Sequence, residues 1–192
     1  MLRKQRYTQG SDIVSTYFRM LGGQLEDFDT ETTRRVIQFC IELDSKRSYD
    51  RLTTFPSDTD EMIIGNNLRL FSFCEHHLLP FFGKVHIGYI PNGKIFGLSK
   101  FQRLVDTVAS KPQLQERLTN EIAQYVIKHL EPQGVGVVVK AIHTCVFARG
   151  VHNPAAEFTT NSMHGVFREL AQVRSEFLSC INSNKSDSLV HF

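Results

Sequence analysis

An α+β domain is predicted, an antiparallel sheet covered by helices on one side. Two periodicities and one turn signal point to it. Val85-His86-Ile87-Gly88-Tyr89 and the stretch from Gly134 to about Ala148 alternate with strand period, whereas other segments carry apolar residues at helical spacing. Between them, Pro91-Asn92-Gly93-Lys94 holds the Asn-Gly pair of a tight hairpin, the connection antiparallel strands use. There is no internal repeat or low-complexity tract.

The first helix is expected over about residues 11–22, with Ile13, Val14, Tyr17, Met20 and Leu21 on one face and Gly22-Gly23 as the stop. A second is expected over about 30–43, striped by Val36, Phe39, Cys40 and Leu43. Residues 44–60 are polar, include Pro56 and read as a connecting loop, and an extended stretch leads on from Glu61. Beyond the Asn-Gly turn, Ser99 begins a helix with Phe101, Leu104, Val105 and Val108 on one face. Ser110 and Gln113 have the spacing of a capping box for the next, whose stripe is Leu114, Leu118, Ile122, Val126 and Leu130. Period two along the last strand puts Val135, Val137, Val139, Ala141, His143 and Cys145 on one face, and Leu170, Val173, Phe177 and Ile181 mark a C-terminal helix. The expected division is an N-terminal helical region, residues 1–57, and a core, residues 58–192.

With 192 residues, 41% apolar and 22% charged, one core can be buried without staples. A net charge of +2 gives no argument for nucleic acid or a membrane surface, so an anionic ligand must be met by local cations. The basic start Met1–Tyr7 is followed by no apolar run, so no signal peptide is expected. No stretch approaches the roughly 18 apolar residues of a membrane span. Cys40, Cys74, Cys145 and Cys180 are too few and scattered for a disulfide framework, and a reducing cytoplasm is expected.

Chemistry concentrates in Cys74-Glu75-His76-His77 and, about 70 residues on, His143-Thr144-Cys145. Thiolate and imidazole are the donors zinc prefers. Cys74 and His77 can reach one ion from one turn of chain, and His143 and Cys145 leave a strand on one face while Thr144 points away. Taken singly, each is better read as a buried thiol or a satisfied core histidine. Together, the clusters reverse that preference. Each holds one histidine beyond the needs of a three-donor site, which suits proton transfer near a zinc with one position open to water. Cys40 and Cys180 lie in helical patterns and read as core or surface thiols.

These clusters belong to a longer pattern. Phe73-Cys74-Glu75-His76-His77-Leu78-Leu79-Pro80, Gly83-Lys84-Val85-His86-Ile87-Gly88-Tyr89-Ile90-Pro91, Gly97-Leu98-Ser99-Lys100, Gln115-Glu116-Arg117-Leu118-Thr119 and His143-Thr144-Cys145 with Arg149-Gly150 resemble GTP cyclohydrolase I, in order over about residues 58–182. The resemblance implies conversion of GTP and water to 7,8-dihydroneopterin triphosphate and formate. It also implies a tunnelling-fold (T-fold) subunit in a ring-shaped homo-oligomer, typically a decamer. It implies zinc on Cys74, His77 and Cys145, which would lower the pKa of its water to about 7. His76 and His143 become the proton-transfer pair, serving N7 and the ribose ring oxygen in some order. Glu116 would accept from guanine N1–H and the 2-amino group, a donor pair adenine lacks, with Gln115 as a neighbouring base contact. Ser99, Lys100 and Arg103, at a helix N-terminus, and Arg149 would meet the triphosphate.

On the residues alone, Glu116 is a first-turn glutamate opposing a helix dipole, Ser99 an N-cap, and Lys100 and Arg103 a solvated face. The chain also departs from the family pattern. Thr33 stands for proline in Thr32-Thr33-Arg34-Arg35-Val36, Gln38 stands where some members carry a phosphate-binding lysine, and the segment from His152 to Gly165 differs. Two other readings stay open. One is a related tunnelling-fold pterin enzyme acting on a later intermediate, against which Gln115-Glu116 and the Cys-His-Cys set argue. The other is a non-catalytic zinc-containing binding or structural subunit, with His76 or His143 as fourth ligand.

Overall fold

The computed structural model describes residues 2–24, 29–45 and 53–182. The chain divides into two compact units, 1–46 and 47–192. The first is a pair of helices, α1 (Leu2–Met20) and α2 (Thr30–Ser45). α1 starts well before residue 11, because polar residues without proline extend a helix freely, and it ends as expected before Gly22 at φ +90°. The expected apolar faces are not the buried ones. Ile13, Tyr17, Met20 and Leu21 are exposed, as are Val36, Phe39 and Cys40, while Thr33 and Ile37 are buried. Two helices offer each other one narrow stripe, so a broad apolar face stays uncovered within the pair. Thr33, at the family's proline position, buries its Oγ1 without a hydrogen-bond partner among the described residues.

The second unit runs β1 (Thr54–Pro56), β2 (Ile63–Phe73), β3 (Pro80–Ile90), β4 (Lys94–Phe96), α3 (Ser99–Ala109), α4 (Gln115–Leu130), β5 (Gly134–His143), α5 (Thr144–Phe147), β6 (Phe158–Gly165), α6 (Val166–Glu169) and α7 (Ala171–Asn182). β2, β3, β5 and β6 form one antiparallel sheet in that order, and β1 pairs with β4. The turn at Asn92-Gly93 forms, with Gly93 at φ +77°, but it does not close the expected hairpin. Both edges of β3 are already taken, by β2 and β5, so β4 turns away to β1, inside the stretch expected to be loop. The Ser110–Gln113 capping box is also absent. Ser110 ends α3, donating its hydroxyl to Thr107 O, and α4 begins at Gln115 behind an extended Leu114.

Alternation along β5 sorts the core. Val135, Val137, Val139 and Ala141 are fully buried among Leu104, Val105, Leu118, Ile122 and Val126 of α3 and α4. The valines, leucines and isoleucine contribute about 1.5–3 kcal/mol each on burial. Val138 faces the other way, toward Phe167, Phe177 and Ile181. Helices therefore cover both faces of the sheet, and the expectation of one covered side is corrected. On the second face, a Cβ at Gly136 would stand 2.6 Å from the Phe167 ring and one at Gly88 2.8 Å from the Phe177 ring, so both strands present glycine there. In the C-terminal stripe Phe177 and Ile181 are buried, while Leu170 lies between α6 and α7 and is exposed. Among the described residues, no helix is long and apolar enough to cross a membrane.

Candidate metal centre and active site

The first two metal donors come from the β2–β3 connection. The register pairs Phe73 with Pro80 and leaves residues 74–79 to turn the chain. Cys74 N–H donates to Leu79 O at 2.8 Å, while Cys74 O accepts from His77 N–H at 3.3 Å and Leu78 N–H at 2.8 Å. Leu78 sits at φ +52°, a left-handed conformation that costs a non-glycine residue about 1–2 kcal/mol and that these bonds offset. The turn folds His77 back over Cys74, with Nδ1 3.8 Å from Sγ. Gln113 braces it from outside: its N–H donates to Phe73 O at 2.8 Å and its carbonyl accepts from Glu75 N–H at 3.0 Å.

The third donor corrects the strand argument. β5 ends at His143, and Cys145 lies in the helical turn α5, so the two residues do not share a strand face. Thr144 Oγ1 donates to Pro80 O at 2.6 Å and pins that turn beside the first. One donor atom each from Cys74, His77 and Cys145 then lies within 4.8 Å of the others. Tetrahedral zinc would need sulfur and nitrogen donors about 3.5–3.8 Å apart. The set thus fits such an ion with little movement. Cys74 is buried, Cys145 partly so and His77 exposed, so the cradle opens on one side. Burial, and then the neighbouring Cys74, push the Cys145 thiol pKa up, so a metal binding there displaces its proton.

His143 stands beside this cradle and outside the donor set. Its ring stacks on Phe81, centroids 4.5 Å apart and planes 2° from parallel, and meets the edge of Phe158 at 5.7 Å. Burial lowers its pKa, against an opposing pull from Glu116. Its Nε2 lies 2.8 Å from Gln115 Oε1. Gln115, expected near a base, is only 4% exposed, with its amide behind His143. Glu116 is exposed in the first turn of α4, and His76 is exposed with its ring 6.1 Å from that of His77. Arg149, beyond α5, is exposed and near enough to favour the Cys145 thiolate.

Sequence reasoning assigned nothing to Arg117 or to Phe81. Arg117 pairs with Glu75 and donates from Nε to Gln113 Oε1 at 3.0 Å, tying the metal turn to α4. The hydrogen bond from Arg117 holds the Glu75 carboxyl below the usual range, with burial opposing it. No local signal reveals this pair, because its members are 42 positions apart.

The cations at the start of α3 are placed elsewhere. α3 lies along β2: Gln102 exchanges two 2.9 Å bonds with the Arg69 backbone, and Ser72 Oγ donates to Ala109 O at 2.8 Å. The C-terminal end of α3 is therefore beside the cradle. Ser99 and Lys100 occupy the far end, Ser99 about 15 Å from Ala109 along the helix axis, and Arg103 lies mid-helix. Ser99 is the first helical residue and not the cap; Leu98 holds the cap position, without a side-chain bond.

The chain matches the GTP cyclohydrolase I family over residues 12–182. It is similar to a protein named GTP cyclohydrolase 1 from Sulfurihydrogenibium, 46% identical over 157 residues that span 81% of this chain and 83% of that one. The same name belongs to an Aquifex aeolicus protein, 47% identical over 79% of this chain and 83% of its own. It also belongs to a Homo sapiens protein, 50% identical over 67% of this chain and 52% of its own. A match over nearly the whole chain, at close to half identity, places this protein in the GTP cyclohydrolase I family.

Proposed function

We propose that this chain is a zinc-dependent GTP cyclohydrolase, converting GTP and water to 7,8-dihydroneopterin triphosphate and formate. The observation that carries this reading is a three-donor cradle, open on one side, with a buried-edge histidine next to it and outside it. Two thiolates and an imidazole suit zinc and leave one coordination position free. Zinc there would supply a water with its pKa lowered to about 7, a nucleophile strong enough for guanine C8 at neutral pH.

The chain's own residues do the rest. Glu116 accepts from N1–H and the 2-amino group and so orients the base; adenine would leave that carboxylate unpaired. His143, kept neutral near pH 7 by its lowered pKa, can take or return a proton, and exposed His76 serves the second transfer. Phe81 covers one face of the His143 ring and Phe158 meets the ring at right angles, which together hold its orientation. Ser99, Lys100, Arg103 and Arg149 neutralise the triphosphate. Because Ser99 and Lys100 lie at the end of α3 away from their own cradle, we infer that α3 of one copy serves the cradle of a neighbour, which supports a ring-shaped homo-oligomer. The structural-zinc reading needs a fourth protein donor, and the donor group the structure brings together is Cys74, His77 and Cys145 without His76 or His143.

The test is formate release from GTP by zinc-loaded protein. Release that Cys145→Ala abolishes supports the proposal, and no release from the zinc-loaded wild type overturns it.

A further inference from the structure

The Gln115 amide offers a chain of proton assignments that ends on His143. Gln115 Nε2 lies 2.9 Å from Phe158 O, 3.3 Å from Val139 O and 3.2 Å from Thr160 Oγ1. Two of these partners are carbonyls, which only accept, so the amide NH2 must face them. The third partner agrees. Thr119 Oγ1 donates to Gln115 O at 2.7 Å, which uses its one proton; in its 2.7 Å contact with Thr160 the latter must therefore donate. Thr160 thus presents a lone pair to Gln115 Nε2. With the NH2 placed, Oε1 is the atom 2.8 Å from His143 Nε2, and an amide oxygen only accepts.

We propose that Gln115 is a positioning residue that fixes His143 as its Nε2-protonated tautomer, leaving Nδ1 as the one nitrogen able to accept a proton. The ring cannot escape by flipping. A flip within the Phe81 stack would put Cε1–H against Oε1 and lose the bond. One ring nitrogen is then structural and the other chemical, the arrangement by which a buried partner orients a catalytic histidine. The role of Nδ1 toward substrate rests on the proposed cyclohydrolase activity, while the tautomer rests on the hydrogen bonds alone.

The experiment keeps these apart. In zinc-loaded, 15N-histidine-labelled protein, His143 signals are assigned by their loss in His143→Ala. A protonated-type Nε2 and a bare Nδ1 are expected in the wild type. Gln115→Met, of similar shape but without an acceptor, should show a mixture of tautomers. A protonated Nδ1 in the wild type, or a Gln115→Met spectrum identical to the wild type, overturns the proposal whatever GTP does. In the GTP assay, Gln115→Met should lower kcat by about 10–100-fold with KM within about twofold of wild type, and should cost nothing further in a His143→Ala background. A raised KM that persists in that background would make Gln115 a substrate contact instead. A wild type without GTP turnover refutes the proposed function and leaves the tautomer to the spectra.

Discussion

The two ends of α3 differ in how their chemistry is assembled. At its C-terminal end, Cys74, His77, Cys145, His143 and Gln115 converge through strand register, two tight turns and buried hydrogen bonds. Toward its N-terminal end, Ser99 and Arg103 lie exposed on one helix without a cap bond. The first end fixes its side chains from several elements at once. The second sets polar and cationic side chains along one helix. Making and breaking bonds needs the former, and capturing a triphosphate needs only the latter.

That contrast makes graded predictions. The largest effect belongs to the cradle: Cys145→Ala should remove the zinc and all formate release, while Cys40→Ala, at an exposed position in α2, should change neither. Mixed oligomers sharpen the point. Chains carrying Cys145→Ala combined with chains carrying Lys100→Ala should recover part of the activity that each lacks alone, because a healthy α3 then meets a healthy cradle. If mixing restores nothing, the two ends serve the same copy. Zinc affinity should fall as pH falls, because the raised Cys145 pKa keeps that thiol protonated in the metal-free chain to well above neutrality.

Next in size, His143→Ala should keep zinc and slow turnover by about 10²–10⁴-fold. Metal analysis beside a formate assay checks it, and loss of zinc would make His143 a ligand. Glu116→Gln puts a donor against the donors of guanine and should weaken GTP binding by about 1–3 kcal/mol, read as a raised KM with zinc and fold intact. The smallest effect is expected from Glu75→Gln. Its ion pair with Arg117 has 39% and 46% of the two side chains exposed, so stability should change by less than about 1 kcal/mol, visible as a small shift in Tm.

Much of the cradle was legible because Cys74 and His77 are three residues apart and a turn of that length brings them together. Cys145 was legible as a donor, but for a geometry that does not hold, since the chain leaves strand conformation at His143. β6 was hidden. It is an edge strand whose Thr160 and Ser162 bond to α4, so it lacks the apolar alternation that marks a half-buried strand. The placement of Gln115 was hidden for a related reason: His143 and Phe158 are 28 and 43 positions away and meet it only through sheet pairing. The Asn92-Gly93 turn was legible and its strand partner was not, because that partner depends on which edges of β3 remain free.

The most direct test of a catalytic metal cradle is a titration of metal-free chain with zinc, reading formate released from GTP. If Cys74, His77 and Cys145 hold the catalytic ion, formate release starts near zero, rises with added zinc and levels off at one zinc per chain, and Cys145→Ala stays at zero throughout. Full release before any zinc is added, or from Cys145→Ala, would contradict it.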